Sequence, residues 1–398
     1  MHLDLTKNSV RCLHGNDYGG LPAELASLTS LRILIIAECN LPFLPPVIYK
    51  CKSLEVLDVS RNKIGLILPE IGNLESLQLL NAQSTGIITL PPEIAFCQDL
   101  EELLLFGNSI ESLPETMREM PKLRQLKLNF QSFAQLLDNY MDNLLRKGQI
   151  QSEHIPAVIF EMHGIDSLDL EATKINNLPD TCAGDLREIY LQNNYFRSTP
   201  RVILQLRNLS VLDLSNNILS ALPDDLDVLR NLVTFKANHN EIAQLSDAIG
   251  RLSKLELLAL GHNKLTSLPV SIGQATKLRT LSVNNNRISE LPGDTNSLIT
   301  NAYITFKNTF NSDSIVALAQ LHTLDLTANN LAALPANFYE MRGLKQAHGF
   351  QNFHKHGLWL HQNPLKTPPK EVWRTEDPQK IFEYMKRLRV STRRQENS

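Results

Sequence analysis

The segment LSVLDLSNNILSALPDDLDVLRN, residues 209–231, contains the whole pattern on which the rest of the chain is built. Its first half alternates leucine with other residues, which is typical of a short strand with one buried face. Its second half spaces apolar residues three apart, which is typical of a 3-10 or helical turn. Pro223 fits near the start of that turn because proline fixes φ. The segment therefore predicts one strand followed by one turn of helix.

The same 23-residue pattern recurs along most of the chain. It can be written L-x-x-L-x-L-x-x-N-x-L followed by x-x-L-P-x-x-I-x-x-L-x-x, and its positions are numbered 1 to 23 below. Position 1 falls at Leu31, Leu54, Leu77, Leu100 and Leu123, and again at Leu186, Leu209, Leu232, Leu255 and Leu278. Roughly fifteen copies fit, which is the leucine-rich repeat signature. We therefore predict an α/β solenoid, a horseshoe with a parallel concave sheet and short helical or 3-10 convex segments. The asparagine at position 9 is expected to turn inward and pair with the backbone of adjacent coils.

The pattern resembles the Ras group of intracellular leucine-rich repeat proteins, the class that includes the Ras suppressor protein. L-P-x-x-I within a 23-residue period carries the resemblance over nearly the whole chain, and residues 363–388, NPLKTPPKEVWRTEDPQKIFEYMKRL, resemble the closing segment of many cytosolic members. The resemblance implies adaptor work, in some members with small GTPases or protein phosphatase 1. It implies no particular partner, because partner choice depends on exposed positions and the pattern specifies only the buried ones.

Three breaks in the period predict insertions, since extra residues in a repeat array map to loops. The first, at about 133–154, predicts an amphipathic helix that packs back on the solenoid or binds a partner. Its apolar stripe contains Leu136, Leu137, Tyr140, Met141, Leu144 and Leu145. The second is either a degenerate repeat around Ile304 or a loop over 299–318. The third, 346–356, is an excursion whose removal restores the pattern.

The predicted organisation is a solenoid over residues 1–365, a C-terminal helical cap over 366–388 and a disordered basic tail over 389–398. Asp377 and Pro378 suit the start of the cap helix. The chain begins within a repeat, so a longer native N-terminus is expected to be possible.

Composition excludes several classes of function. Net charge is −3, from 39 basic and 42 acidic side chains, so nothing favours nucleic acid. No apolar run reaches the roughly 18 residues of a membrane span. The five cysteines form no clusters at the ends, and Cys51 and Cys97 lie two repeats apart, roughly 10 Å, too far for a disulfide. We therefore expect a reducing, cytoplasmic compartment.

The sequence contains no catalytic constellation, so we predict no enzymatic activity, no cofactor and no metal. Phosphate loops, nucleophile elbows and metalloprotease motifs are missing from it. His239 and His262 fall in one column of adjacent repeats, but Asn216 and Asn285 flank them and supply no third metal ligand. Aspartates such as Asp58 occupy an ordinary strand position.

The exposed strand positions of the concave face are the predicted protein-binding site. Large apolar or aromatic side chains there are typical of interfaces. The candidates are Glu102, Leu104, Phe106, Lys127, Phe130, Glu171, Glu188, Tyr190, Lys236 and Trp359. Phe106 and Phe130 are expected to lie within reach of each other on neighbouring repeats.

The sequence thus predicts a cytosolic scaffold that binds another protein, and the resemblance to the Ras group implies a role in small-GTPase signalling. One alternative is the recognition part of a larger signalling enzyme, such as a kinase, GTPase or ligase. A receptor ectodomain is a further alternative and would need an upstream signal peptide and cysteine caps.

Overall fold

The structure is a computed structural model. It describes residues 1–8, 21–128, 159, 162, 164–180, 185–292, 315–341, 343–344, 357–374 and 377–396. The chain divides into two compact units. The N-terminal unit comprises Met1–Tyr195 with Pro200–Leu206, and the C-terminal unit comprises Phe196–Thr199 with Arg207–Ser398.

The N-terminal unit contains eight three-residue strands in its described part, each parallel to the next in chain order. They are β1 (His2–Asp4), β2 (Ile33–Ile35), β3 (Val56–Asp58), β4 (Leu79–Asn81), β5 (Glu102–Leu104), β6 (Gln125–Lys127), β7 (Ser167–Asp169) and β8 (Glu188–Tyr190). The middle residue of each strand from β2 onward is a leucine or isoleucine that is fully buried, because stacked coils cover it from both sides.

The described part of the C-terminal unit contains six more strands, again parallel and in chain order. They are β9 (Val211–Asp213), β10 (Thr234–Lys236), β11 (Leu257–Ala259), β12 (Thr280–Ser282), β13 (Thr323–Asp325) and β14 (Gly357–Trp359). Two α-helices follow, α1 (Lys370–Trp373) and α2 (Pro378–Glu396).

Short 3-10 helices form the second half of most coils. In the N-terminal unit they are Ala23–Ser27, Ile48–Lys50, Pro69–Asn73, Pro92–Phe96, Glu115–Glu119 and Arg201–Gln205; in the C-terminal unit they are Leu226–Val228, Asp247–Arg251, Val270–Gln274, Ile315–Ala317 and Phe338–Glu340. Proline begins two of them and precedes several others, where its missing N–H leaves no bond unmade. Parallel strands and 3-10 turns are the architecture that the repeat pattern predicts.

The register of the sheet crosses each break in the period without a gap. Leu126 pairs with Leu168, Leu281 with Leu324, and Leu324 with Leu358. β13 pairs directly with β12, and both interpretations of the second break, a degenerate repeat around Ile304 or a loop over 299–318, stay predictions. The insertions at 133–154 and 346–356, and residues 299–314 of the second one, lie outside the described residues.

The asparagines at position 9 form a buried ladder, as predicted. Asn108 donates through Nδ2 to the carbonyls of Leu105 in its own coil and Ala82 in the preceding coil, both at 2.7 Å. Its Oδ1 accepts from the backbone N–H groups of Thr85 and Ile87 at 3.0 Å. Equivalent asparagines are Asn62, Asn194, Asn240, Asn263, Asn286, Asn329 and Asn363. Each one satisfies buried backbone groups that the short strands leave unpaired.

Position 8 is left-handed in every coil in which that residue is described, with φ between 52° and 77°. Its occupants are Lys7, Glu38, Arg61, Ser84, Gly107, Ala172, Asn193, Asn216, His239, His262, Asn285, Ala328 and Gln362. Most of these residues carry a Cβ that disfavours this conformation, so the turn after each strand is imposed by the stacking rather than by glycine.

The end of the chain packs on the last repeats through α2. Phe382 stacks at a tilt against Phe338, with ring centroids 5.9 Å apart, and Ile381 and Met385 are buried beside it. Asp377 accepts from the Gln379 N–H at 2.9 Å, which confirms the predicted N-cap. The helix continues to Glu396, so residues 389–396 are helical where the sequence predicted a disordered tail. The start of the helix at Asp377 and Pro378 was predicted from the sequence. Its continuation after Leu388 was not, because the basic residues there were interpreted as a disordered tail.

Candidate interaction face

Positions 3 and 5 of each coil place side chains on the outer face of the sheet. In β2 to β6 these two positions are partly exposed, while position 4 between them is fully buried. This alternation follows from the two-residue period of a strand. The outer face is therefore made by the variable residues of the repeat, and it differs from coil to coil.

Lys127 lies at the centre of a cluster on this face, called the Lys127 cluster: Phe106, Lys127 and Asp169. Its Nζ lies 2.6 Å from Asp169 Oδ2 and 5.2 Å from the centroid of the Phe106 ring. The pair is largely shielded, since the Lys127 side chain is 27% and that of Asp169 12% exposed. Lys127 is therefore held within the face by an ion pair and a cation–π contact.

Leu104 is the direct cross-strand neighbour of Lys127. The sequence predicted that Leu104 and Phe106 point into water. In the structure both side chains are only partly exposed. Lys127 above Phe106 accounts for the shielding of the ring. Phe130 lies outside the described residues, and its expected contact with Phe106 stays a prediction.

The acidic and aromatic candidates of β7 and β8 bond to each other within the same unit. Tyr190 donates its hydroxyl to Glu188 Oε2 at 3.0 Å, and Asn193 Nδ2 donates to Glu171 Oε1 at 2.9 Å. Asp169 also accepts from the Glu171 N–H at 3.0 Å. Each of these three carboxylates therefore already accepts a hydrogen bond from a neighbouring residue of the unit.

The candidates of the C-terminal unit lie on β10 and β14. Lys236 Nζ lies 3.5 Å from Asp213 Oδ2 on the preceding strand. Trp359 is partly exposed on β14 and lies over Gly357, where a Cβ would come within 3.3 Å of the indole. Two separate sets of candidates therefore exist, one in each unit.

Sequence reasoning missed an aliphatic row on the N-terminal unit. Ile33, Val56 and Leu79 occupy position 3 of β2, β3 and β4, pair in register and are all partly exposed. The signal was present, because position 3 carries a large aliphatic residue in three consecutive repeats. In the C-terminal unit, threonines interrupt the same position: Val211, Thr234, Leu257, Thr280 and Thr323.

Comparison with known proteins agrees with this architecture. The leucine-rich repeat family profile matches residues 53–74 and 208–229. A leucine-rich repeat protein of Leptospira interrogans is similar with a TM-score of 0.70 and 25% identity, over 94% of this chain and 93% of that chain. The chain has the leucine-rich repeat fold. The predicted fold class is thus confirmed.

Two further leucine-rich repeat structures are similar in fold. An internalin of Listeria monocytogenes has a TM-score of 0.61 and 20% identity, over 87% of this chain and 84% of that chain. Drosophila Toll, in its complex with Spätzle, has a TM-score of 0.60 and 20% identity, over 77% of this chain and 39% of that chain. A search of curated protein sequences finds no match. The matches indicate the leucine-rich repeat fold in general and nothing specific to the Ras group.

The two histidines of adjacent repeats stack on each other, as their shared column predicts. The rings of His239 and His262 lie 4.0 Å apart with an interplanar angle of 11°. Asn285 Nδ2 lies 3.2 Å from His262 Nε2. Burial, and then the neighbouring His239, lower the pKa of His262, while Asp325 acts in the opposite direction. These surroundings therefore favour the neutral form of the His262 ring.

The strand aspartates and the buried cysteines have structural roles. Asp58 and Asp213 accept from backbone N–H groups two residues further on, at 2.9 and 3.0 Å, and so stabilise the turn after the strand. Cys39, Cys51 and Cys97 are buried free thiols, and burial raises the pKa of Cys97 to about 12. Such a thiol is a poor nucleophile.

Within the part of the chain that the structure describes, no three histidine, cysteine, aspartate or glutamate side chains converge to hold a metal ion. The helices of that part include none with both the length and the apolar character needed to cross a membrane.

Proposed function

We propose that this leucine-rich repeat chain is a non-enzymatic scaffold that binds another folded protein through the outer sheet face of its N-terminal unit. The observation that carries the proposal is the aliphatic row Ile33, Val56 and Leu79, with Leu104 on the next strand and Phe106 two residues after it. Repeat solenoids use such extended sheet surfaces for binding.

The energetics favour an interface at this row. Full burial of one aliphatic side chain contributes about 1.5–3 kcal/mol relative to full exposure, and these side chains start from partial exposure. Each would therefore contribute a fraction of that figure, and several adjacent ones together make a binding site. A contiguous apolar patch on a sheet otherwise rimmed by charges is typical of a protein-binding surface.

The charged rim adds orientation rather than affinity. Arg32 pairs with Glu55, and Arg124 pairs with Asp166 at 3.2 Å, along position 2 of the coils beside the row. Exposed ion pairs such as these contribute little to stability, but they shape the potential that an approaching partner meets.

A small GTPase or a protein phosphatase is the partner class that the resemblance to the Ras group supports, and a cytoplasmic location goes with it. The three described thiols, buried and free, agree with a reducing compartment.

Site-specific photo-crosslinking in an extract of the native cell tests the proposal. A photoreactive phenylalanine analogue replaces Phe106 on the sheet face or, as the matched control, Phe96 in a 3-10 helix. Phe96 is 61% exposed, so it is the more accessible of the two. We expect one protein to be crosslinked at position 106 and none at 96. Crosslinking at 96 alone, or at neither position, would contradict the proposed face.

A further inference from the structure

The aliphatic row ends in an acid. Ile33, Val56, Leu79 and Glu102 occupy position 3 of β2 to β5 and are directly paired from strand to strand. All four side chains are partly exposed on the same face. They make a straight line of three aliphatic groups followed by a carboxylate, running across the strands.

The acid at the end of the line is available to a partner. Among the residues the structure describes, no cation forms an ion pair with Glu102. Lys127, on the neighbouring strand, is engaged by Asp169 at 2.6 Å. At the other end of the line, Arg32 is paired with Glu55. The line therefore has a direction, apolar at β2 and negative at β5.

The spacing of the line fits an α-helix better than an extended chain. Neighbouring strands lie about 4.8 Å apart, so the line from β2 to β5 is roughly 14 Å long. On a helix, residues i, i+4, i+7 and i+11 share one face over about 16 Å. In an extended chain, four side chains on one face span about 20 Å. The helix therefore departs from the length of the line by about 2 Å and the extended chain by about 6 Å.

We infer that the partner docks an amphipathic α-helix along this line, with apolar residues at i, i+4 and i+7 and a basic residue at i+11. The inference rests on the proposed function and specifies its partner. Apolar side chains of the helix cover Ile33, Val56 and Leu79, and the basic residue pairs with Glu102. Helix-in-groove recognition uses the same anchor spacing.

Synthetic peptides test this recognition on the full chain. The probe is a stapled helix of about 18 residues with leucine at i, i+4 and i+7, lysine at i+11 and neutral polar residues elsewhere. A second probe has glutamate in place of the lysine, and a third has proline in its centre and cannot form a helix. Fluorescence anisotropy measures each affinity.

The decisive comparison reverses the charge at Glu102 of the protein and at i+11 of the probe. We expect saturable binding of the lysine probe, weakened about fivefold by Glu102→Lys, while the glutamate probe gains by a similar factor. Glu111→Lys, an exposed acid of the same repeat outside the line, should change neither affinity. No saturable binding of the lysine probe, equal binding of the proline probe, or insensitivity to Glu102→Lys would overturn the inference. If crosslinking at position 106 still captures a protein in that case, the scaffold proposal stands and only the helix is wrong.

Discussion

Lys127 and Asp169 form an ion pair between neighbouring strands although a 42-residue step separates them in sequence; Lys127 Nζ lies 2.6 Å from Asp169 Oδ2. The pair links β6 and β7, the two strands on either side of the first break in the repeat period. It also holds Lys127 over Phe106, and so it shapes the face proposed to bind a partner.

Removing the charge of Asp169 should loosen the sheet at this point. We expect Asp169→Asn to lower the free energy of unfolding by roughly 0.5–1 kcal/mol, because it removes a partly shielded ion pair. Asparagine keeps an oxygen for the Glu171 N–H, so the turn survives. Asp325→Asn is the control, because Asp325 accepts from the Thr327 N–H in the same way. Hydrogen exchange measures the effect at the amides of β6 and β7 for Asp169→Asn, and at those of β12 and β13 for the control. Equal effects of both substitutions would show that the ion pair contributes nothing.

The repeat pattern predicted those features of the fold that depend on buried residues. Leucines at positions 4 and 6 specify strands, and the asparagine at position 9 specifies the ladder. Only one packing of such coils buries these leucines and also gives the asparagine its hydrogen-bond partners. The pattern could not predict the Lys127–Asp169 pair, which depends on how the chain returns to the sheet after an insertion. It also could not reveal the left-handed turn at position 8, where residues as different as Glu38 and Gln362 occur.

The candidate face was predicted only in part for the same reason. Leu104, Phe106 and Lys127 were found because their types are unusual for exposed strand positions. Ile33 and Val56 were passed over because aliphatic residues are common in strands when each repeat is considered alone. Their significance appears only when the register places them side by side.

Asn108 should be among the most sensitive positions of the N-terminal unit. Asn108→Ala removes two donated and two accepted backbone hydrogen bonds and leaves the buried backbone N–H groups of Thr85 and Ile87 without their acceptor. We expect a loss of about 2–4 kcal/mol, since each unsatisfied buried group costs about 1–3 kcal/mol and the coils relax in part. Asn73→Ala, at an exposed position, is the control and should change stability by less than about 0.5 kcal/mol. Urea denaturation measures both, and similar midpoints would contradict the ladder's role.

Replacing alanine by glycine should have opposite effects on stability in the left-handed turn and in a strand. Ala328 has a φ of 53°, where a Cβ is unfavourable, so Ala328→Gly should stabilise the C-terminal unit by up to about 1 kcal/mol. Ala259 lies in strand β11, so Ala259→Gly should destabilise it by about 0.5–1 kcal/mol. Thermal unfolding compares the two variants. A fall in melting temperature for both would show that the strain at position 8 is negligible.

Acidification should weaken the C-terminal unit through His262. Its pKa is lowered in the folded chain, so the unfolded chain binds the proton more readily. The neutral ring's contribution is therefore fully present above the ordinary histidine value of about 6.5 and is lost as pH falls through the lower folded pKa. His262→Gln should reduce the pH dependence of the melting temperature in this window. Because His262 is exposed, the change should be small. An unchanged pH dependence would show that the stacked pair with His239 has no effect.

The central claim is that the aliphatic row of the N-terminal unit binds the partner. The most direct test measures how tightly the partner identified by crosslinking binds two matched variants of this chain. Val56→Asp places a charge in the row, while Leu257→Asp makes the same change at position 3 of the C-terminal unit, between two threonines. Both positions are partly exposed, so both variants should melt at similar temperatures. We predict that Val56→Asp weakens binding at least about tenfold, because the interface would bury an unpaired charge, and that Leu257→Asp binds like the unmodified chain. Equal affinities for the two variants, or a greater loss with Leu257→Asp, would contradict the account.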